Sequence, residues 1–150
     1  MITITRRLEF DSGHRIPHHQ GQCANLHGHR YAIELTLRGE INTLSGTTDE
    51  GMVVDFGQIK TLAKQYLVDL WDHAFLVYRE DKLVVDFLAS LPEHKTVILD
   101  CVPTVENITQ IAYHILAPVI ERHFTQQVIL ERVRIYETPN CWAEVVNQNR

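Results

Sequence analysis

At 150 residues, 45% of them hydrophobic, the chain is long enough for one domain with a real core and too short for two comfortable ones. Its 14 Lys plus Arg against 19 Asp plus Glu leave a net charge of −5 with no basic cluster, which argues against nucleic acid as a partner. No apolar run approaches the roughly 18 residues of a membrane span, so no membrane association is expected.

The start, Met1-Ile2-Thr3-Ile4-Thr5-Arg6-Arg7, alternates apolar and polar residues, unlike a charged segment followed by an apolar signal core. The three cysteines, Cys23, Cys101 and Cys141, are an odd number and argue for reduced thiols. A cytoplasmic protein is expected.

Residues 2–10 carry Ile2, Ile4, Leu8 and Phe10 on even positions, the period of a half-buried strand, and His14 shares that parity. Residues 31–41 place Tyr31, Ile33, Leu35, Leu37 and Ile41 on odd positions, again a strand, with His27 and His29 ahead of it in the same parity. Residues 42–52, rich in Thr, Ser, Gly and Asp, predict a turn. Asp55 and Gln58 resemble a capping pair, and Ile59, Leu62, Ala63, Tyr66, Leu67 and Leu70 follow at helical spacing. Residues 80–90 predict a short helix and 96–99 a short extended piece. Pro103-Thr104 opens a second long helix, with Val105, Ile108, Ile111, Ala112, Ile115 and Val119 on one stripe and Pro118 expected to kink or shorten it. Residues 128–138 and 141–145 predict two strands joined by the turn Thr138-Pro139-Asn140.

This order predicts one α+β domain over residues 1–150: a four-stranded antiparallel sheet with two helices inserted between strands two and three (ββααββ). Two helices cover one face only, and the sheet keeps open edges. Homo-oligomerisation is therefore expected.

His14, His27 and His29 are the candidate metal ligands, because their shared parity converges them on the inner face of two adjacent strands. Imidazoles of this kind suit zinc; three protein ligands leave a position open for chemistry, four close the site. Cys23 has two readings, a fourth ligand or a nearby thiolate acting as base or nucleophile. Asp72-His73, at the end of the first long helix, offers a proton relay. Glu137 shares an alternating face with Val133 and Ile135, so it needs a partner: an ion pair, or two adjacent N–H donors on a ligand such as the amino-amide edge of a pterin. Thr104 and Glu106 read as the cap and first-turn charge of the second long helix. His18 and His19 read as loop residues, and His94, His114 and His123 as surface polar residues.

Six blocks resemble the 6-pyruvoyltetrahydropterin synthase family: Phe10-Asp11-Ser12-Gly13-His14-Arg15, Cys23 through His29, Asp55-Phe56, Asp72-His73, Pro103 through Asn107, and Tyr136 through Asn140. They occur in family order across nearly the whole chain. The three-residue gap between Cys23 and His27 resembles the bacterial 6-carboxytetrahydropterin synthase branch. The resemblance implies a tunnelling fold, in which trimers join edge strands into a barrel and stack as a homohexamer, with an active site shared between subunits. It implies zinc on His14, His27 and His29, and Cys23 as a base assisted by His73 and Asp72. Glu137, with Thr104 and Glu106, would bind the substrate, and Glu137 would grip the pterin ring. The implied reaction converts 7,8-dihydroneopterin triphosphate to 6-carboxy-5,6,7,8-tetrahydropterin, acetaldehyde and triphosphate, toward queuosine and related deazapurines. Alternatives are triphosphate elimination without carbon-carbon cleavage, as in a pyruvoyl-forming synthase, and a non-enzymatic zinc-stabilised binding module. Two departures stand out: Val77 replaces the asparagine or aspartate usual in the family, and residues 77–100 resemble an insertion. No Lys or Arg is assigned to the triphosphate.

Overall fold

The central ladder pairs β1 (Ile2–His14) with β2 (His27–Gly39) antiparallel along their whole length, from Ile2 opposite Gly39 to His14 opposite His27. The computed structural model describes residues 1–125 and 127–148. In this register the even positions of β1 and the odd positions of β2 share one face. Phe10, Tyr31, Ile33, Leu35 and Leu37 are accordingly buried there. Ile41 was expected on the same face but is exposed, because the ladder to the next strand ends at Gly39 opposite Val128.

The sheet has six strands and is mixed, in the order β4 (Thr96–Leu99), β3 (Ala74–Tyr78), β1, β2, β5 (Val128–Thr138), β6 (Cys141–Val146), which corrects the expected four-stranded antiparallel sheet. The two extra strands are β3 (Ala74–Tyr78), parallel to β1 at Ser12–His14, and β4 (Thr96–Leu99), parallel to β3. Between them runs α3 (Lys82–Ser90), the short helix expected over 80–90. β3 shows no polar-apolar alternation because it is covered on both faces, so an Ala-Phe-Leu-Val-Tyr run beside a helix end carries no period-two signal.

The first long helix is not uniform. α1 (Phe56–Ala63), with Asp55 accepting from the Gly57 N–H at 2.6 Å, passes into a π-helical turn (Lys64–Val68) and then α2 (Asp69–Trp71). A π-turn adds one residue and so rotates the downstream face. The predicted stripe Tyr66, Leu67, Leu70 becomes Leu67, Val68, Trp71, leaving Tyr66 and Leu70 exposed. The shift carries Trp71 edge-on to Phe10, which stacks on Tyr31 at 5.3 Å between ring centroids. Burying such rings contributes about 2–3 kcal/mol each and anchors the chain just before Asp72-His73.

α4 (Val105–His123) runs on through Pro118 without being shortened. Its fully buried positions Ile108, Ala112, Leu116 and Ile120 face the core, with Ile111, Ile115 and Val119 only partly buried beside it. β5 (Val128–Thr138) and β6 (Cys141–Val146) complete the sheet antiparallel to β2. β5 slips register twice: near Glu131, where the buried parity changes from Val128 and Leu130 to Val133 and Ile135, and at Glu137. A bulge of this kind re-aims a side chain. The opposite face carries the ion pairs Arg7–Glu34 and Arg134–Glu144. Among the described residues no helix is long and apolar enough to cross a membrane.

Candidate metal centre and active-site cavity

The end of the β1–β2 ladder brings His14, His27 and His29 together, with one ring nitrogen of each within 4.8 Å of the others. Gly28 makes this approach attainable. A Cβ there would stand 2.9 Å from the Ser12 carbonyl oxygen, so any larger residue would push the two strands apart where the ligands meet.

The hydrogen bonds fix the tautomers. His14 Nδ1 lies 2.7 Å from the Pro103 carbonyl oxygen and His27 Nδ1 lies 2.7 Å from that of Asn25. A carbonyl only accepts, so both Nδ1 atoms carry a proton, and in the neutral rings both Nε2 atoms present lone pairs. In that form the two Nε2 atoms face each other at 3.1 Å, an arrangement that calls for a cation. Burial also holds His14 neutral, lowering its pKa from 6.5 to about 4, reinforced by the charges of His27 and His29 and opposed by the Pro103 hydrogen bond. His29 is lowered too, chiefly by burial. Neutral imidazoles are the metal-binding form. The residues present therefore fit a bound metal ion. The Tyr31 hydroxyl, 3.3 Å from His14 Nδ1, is pushed up far above its usual range by burial and by Glu137.

Glu137 Oε1 stands 3.5 Å from His14 Nε2 and 3.7 Å from His29 Nε2. The same carboxylate lines a cavity of about 540 Å³ with Cys23, Thr104 and Glu106. Thr104 caps α4, its Oγ1 accepting from the Asn107 N–H at 3.3 Å, so the cap role and the cavity position coexist. Cys23, on a single 3₁₀ turn (Gln22–Ala24), is exposed and free, and also lines a second cavity with His27 and His29. It is not a member of the three-histidine group. His19, Asn140, Cys141 and Trp142 line the first cavity as well; His19 was expected as a loop residue, Asn140 stood only in a turn and in the last resembling block, Cys141 only among the reduced thiols, and Trp142 was not singled out. The turn directly after Glu137 was the available signal for Asn140 and Cys141.

Asp72 and His73 lie elsewhere. Asp72 Oδ1 accepts the Asp11 N–H at 2.9 Å, and its Oδ2 accepts from His73 Nδ1 at 2.9 Å. The Asp11 N–H, first, and His73 hold the Asp72 carboxyl below the usual carboxylate range. His73 adopts a left-handed conformation (φ 57°) held by its N–H on the Asp11 carbonyl, 2.7 Å. Its exposed ring lines a cavity with Asp11, Arg30 and His29, distinct from the one holding Cys23 and Glu137.

Three converging imidazoles, with a thiol and a carboxylate in the adjoining cavity, define a candidate metalloenzyme. The chain belongs to the 6-pyruvoyl tetrahydropterin synthase family, whose model matches residues 3–148. A 6-carboxy-5,6,7,8-tetrahydropterin synthase of Rickettsia bellii is 42% identical over 147 residues, covering 97% of this chain and 100% of that one. The fold resembles that of an uncharacterised protein from Wolinella succinogenes (TM-score 0.79, 22% identity, 98% of each chain). It also resembles the Caenorhabditis elegans 6-pyruvoyl tetrahydropterin synthase (TM-score 0.67, 25% identity, 98% and 96% of the two chains).

Proposed function

We propose that this protein is a zinc-dependent 6-carboxytetrahydropterin synthase, a lyase converting 7,8-dihydroneopterin triphosphate to 6-carboxy-5,6,7,8-tetrahydropterin, acetaldehyde and triphosphate. The observation that carries the proposal is the paired Nε2 lone pairs of His14 and His27 beside the cavity of Cys23 and Glu137, in a chain this similar to a relative of that name. His14, His27 and His29 would hold the ion, and an all-imidazole set suits zinc. Bound there, the ion supplies a Lewis acid for the substrate's side-chain hydroxyls and for negative charge developing on them.

The protein's own groups do the rest. Glu137 accepts hydrogen bonds from the pterin amino and ring N–H groups and fixes the ring, with Thr104 and Glu106 lining the same cavity. Cys23, as thiolate, takes and returns protons on the substrate side chain. Asp72 orients His73, which relays the proton. His73 and Cys23 line different cavities of one chain, which supports a working site that joins Cys23 of one copy to His73 of another. A homohexamer built by closing free sheet edges into a barrel provides that juxtaposition. The product feeds deazapurine synthesis, queuosine included, in the cytoplasm.

Product analysis on zinc-loaded protein is the test: stoichiometric acetaldehyde and triphosphate are expected. Turnover without acetaldehyde would instead indicate a pyruvoyl-forming synthase, the activity named for the Caenorhabditis elegans structure. Cys23→Ala should keep its zinc and its fold and lose turnover. If it loses the zinc, Cys23 is a fourth ligand and the catalytic assignment is wrong.

A further inference from the structure

A substrate triphosphate carries several negative charges, yet within one chain the cavity of Cys23 and Glu137 is lined by no Lys or Arg among the described residues and by two carboxylates, Glu106 and Glu137. One imidazole stands among them. His19 lines this cavity on the loop between Ile16 and Cys23, which closes through the Ile16 N–H on the Cys23 carbonyl, 2.8 Å. His18 takes a left-handed conformation (φ 65°) in a turn closed by the His19 N–H on the Ile16 carbonyl, 3.3 Å, so backbone strain is spent on placing His19. The ring itself is oriented: its Nδ1 accepts the Gly21 N–H at 2.8 Å. A nitrogen that accepts carries no proton, so the proton sits on Nε2, which is left as a free donor.

Depth orders the substrate across the histidine cluster and the cavity beside it. His14 is 1% exposed and Glu137 25%, whereas His19 is exposed at the surface. On the proposed function, the pterin ring binds at Glu137 and the side-chain hydroxyls at the histidine cluster. The triphosphate, the most hydrated part, is then left at the rim.

We propose that His19 is a substrate-binding residue, its Nε2–H donating to the triphosphate of the bound substrate and to the same oxygens as the C–O bond breaks, its electron pair leaving on the triphosphate while Cys23 takes the proton from the neighbouring side-chain carbon and the freed C–H pair forms the C=C bond. This rests on the substrate proposed above.

The test is equilibrium binding to zinc-loaded Cys23→Ala protein, comparing 7,8-dihydroneopterin triphosphate with 7,8-dihydroneopterin, which has the same ring and hydroxyls and no phosphate. Asparagine places its oxygen where His19 Nδ1 sits and keeps the Gly21 bond without a distal donor; glutamine places an N–H near the Nε2 position. His19→Asn should shrink the preference for the triphosphate ester roughly 10-fold, the scale of one hydrogen bond to a charged group, while His19→Gln stays within about 3-fold of the parent. Dihydroneopterin affinity should not move in either. The reverse order, Asn tolerated and Gln not, would assign His19 to holding its loop. An unchanged preference in both variants, or no preference for the ester in the parent, would equally overturn the proposal. Acetaldehyde release by the wild type tests the reaction separately, and this binding ratio does not depend on it.

Discussion

His14 and His27 turn their Nε2 atoms toward each other at 3.1 Å while backbone carbonyls hold the opposite side of each ring. Two lone pairs at that separation repel, and a cation between them removes the repulsion. Metal binding should therefore stabilise the fold, by about 2.7 kcal/mol at a free metal concentration 100 times Kd. For a chain of this size that is a rise in Tm of about 5–10 °C. Scanning calorimetry with and without zinc should show the rise in the wild type and its loss in His14→Ala. An equal rise in both would mean that the metal binds elsewhere.

Metal-free protein should weaken as it is acidified. The unfolded chain protonates His14 near its ordinary value of 6.5, whereas the folded chain resists until about 4. Between those values the unfolded state holds the extra proton, so stability falls as pH drops from 6.5 toward 4 and recovers as pH rises. A shift of this size corresponds to about 3 kcal/mol. Denaturant midpoints at pH 7 and pH 4.5 check this. His14→Gln, which has no imidazole to protonate, should lose less stability over that interval than the wild type.

Strand parity made the histidine cluster and its β1–β2 platform legible in advance, because both strands are half-covered and the alternation of Phe10, Tyr31, Ile33 and Leu35 reports it. Parity broke down where backbone geometry departs from a regular repeat. The π-turn at Lys64–Val68 moves the helical stripe by one residue, and the slip at Glu131 exchanges the faces of β5. β3 is invisible for a different reason, its two covered faces leaving no alternation. The cavity was legible only in its carboxylate, thiol and helix cap. His19 entered it through a left-handed residue at His18 that no periodicity encodes.

Gly28 should matter more to the metal than to the fold. An alanine Cβ would meet the Ser12 carbonyl oxygen at 2.9 Å, and the Ser12 backbone gives little, since its buried Oγ donates to the Ala74 carbonyl at 2.9 Å. The relief available is to separate the strands at the point where His14 opposes His27. Overpacking of this kind costs about 1–3 kcal/mol. Gly28→Ala should stay folded by circular dichroism and bind zinc at least 10-fold more weakly in competition with a chelator of known affinity. Wild-type affinity in that variant would show that the strands absorb the methyl group without moving the ligands.

Asp72 does two separable things, accepting the Asp11 N–H with one oxygen and His73 with the other. Asparagine retains an oxygen for Asp11 and presents an N–H to His73, which reverses the ring's tautomer. Asp72→Asn should therefore keep its zinc and most of its stability while kcat falls by about 100-fold or more, the lower end of what a positioned proton-transfer group contributes. If the relay acts on Cys23 of another copy, subunits carrying Cys23→Ala and subunits carrying His73→Ala, each inactive alone, should regain activity when unfolded together, mixed and refolded. Random assembly leaves each site one intact Cys23 and one intact neighbouring His73 in roughly a quarter of cases, so about a quarter of wild-type activity per site is expected from an equal mixture. No recovery from mixed oligomers verified by mass spectrometry would place the relay within one chain and require His73 to reach Cys23 by movement of its own segment.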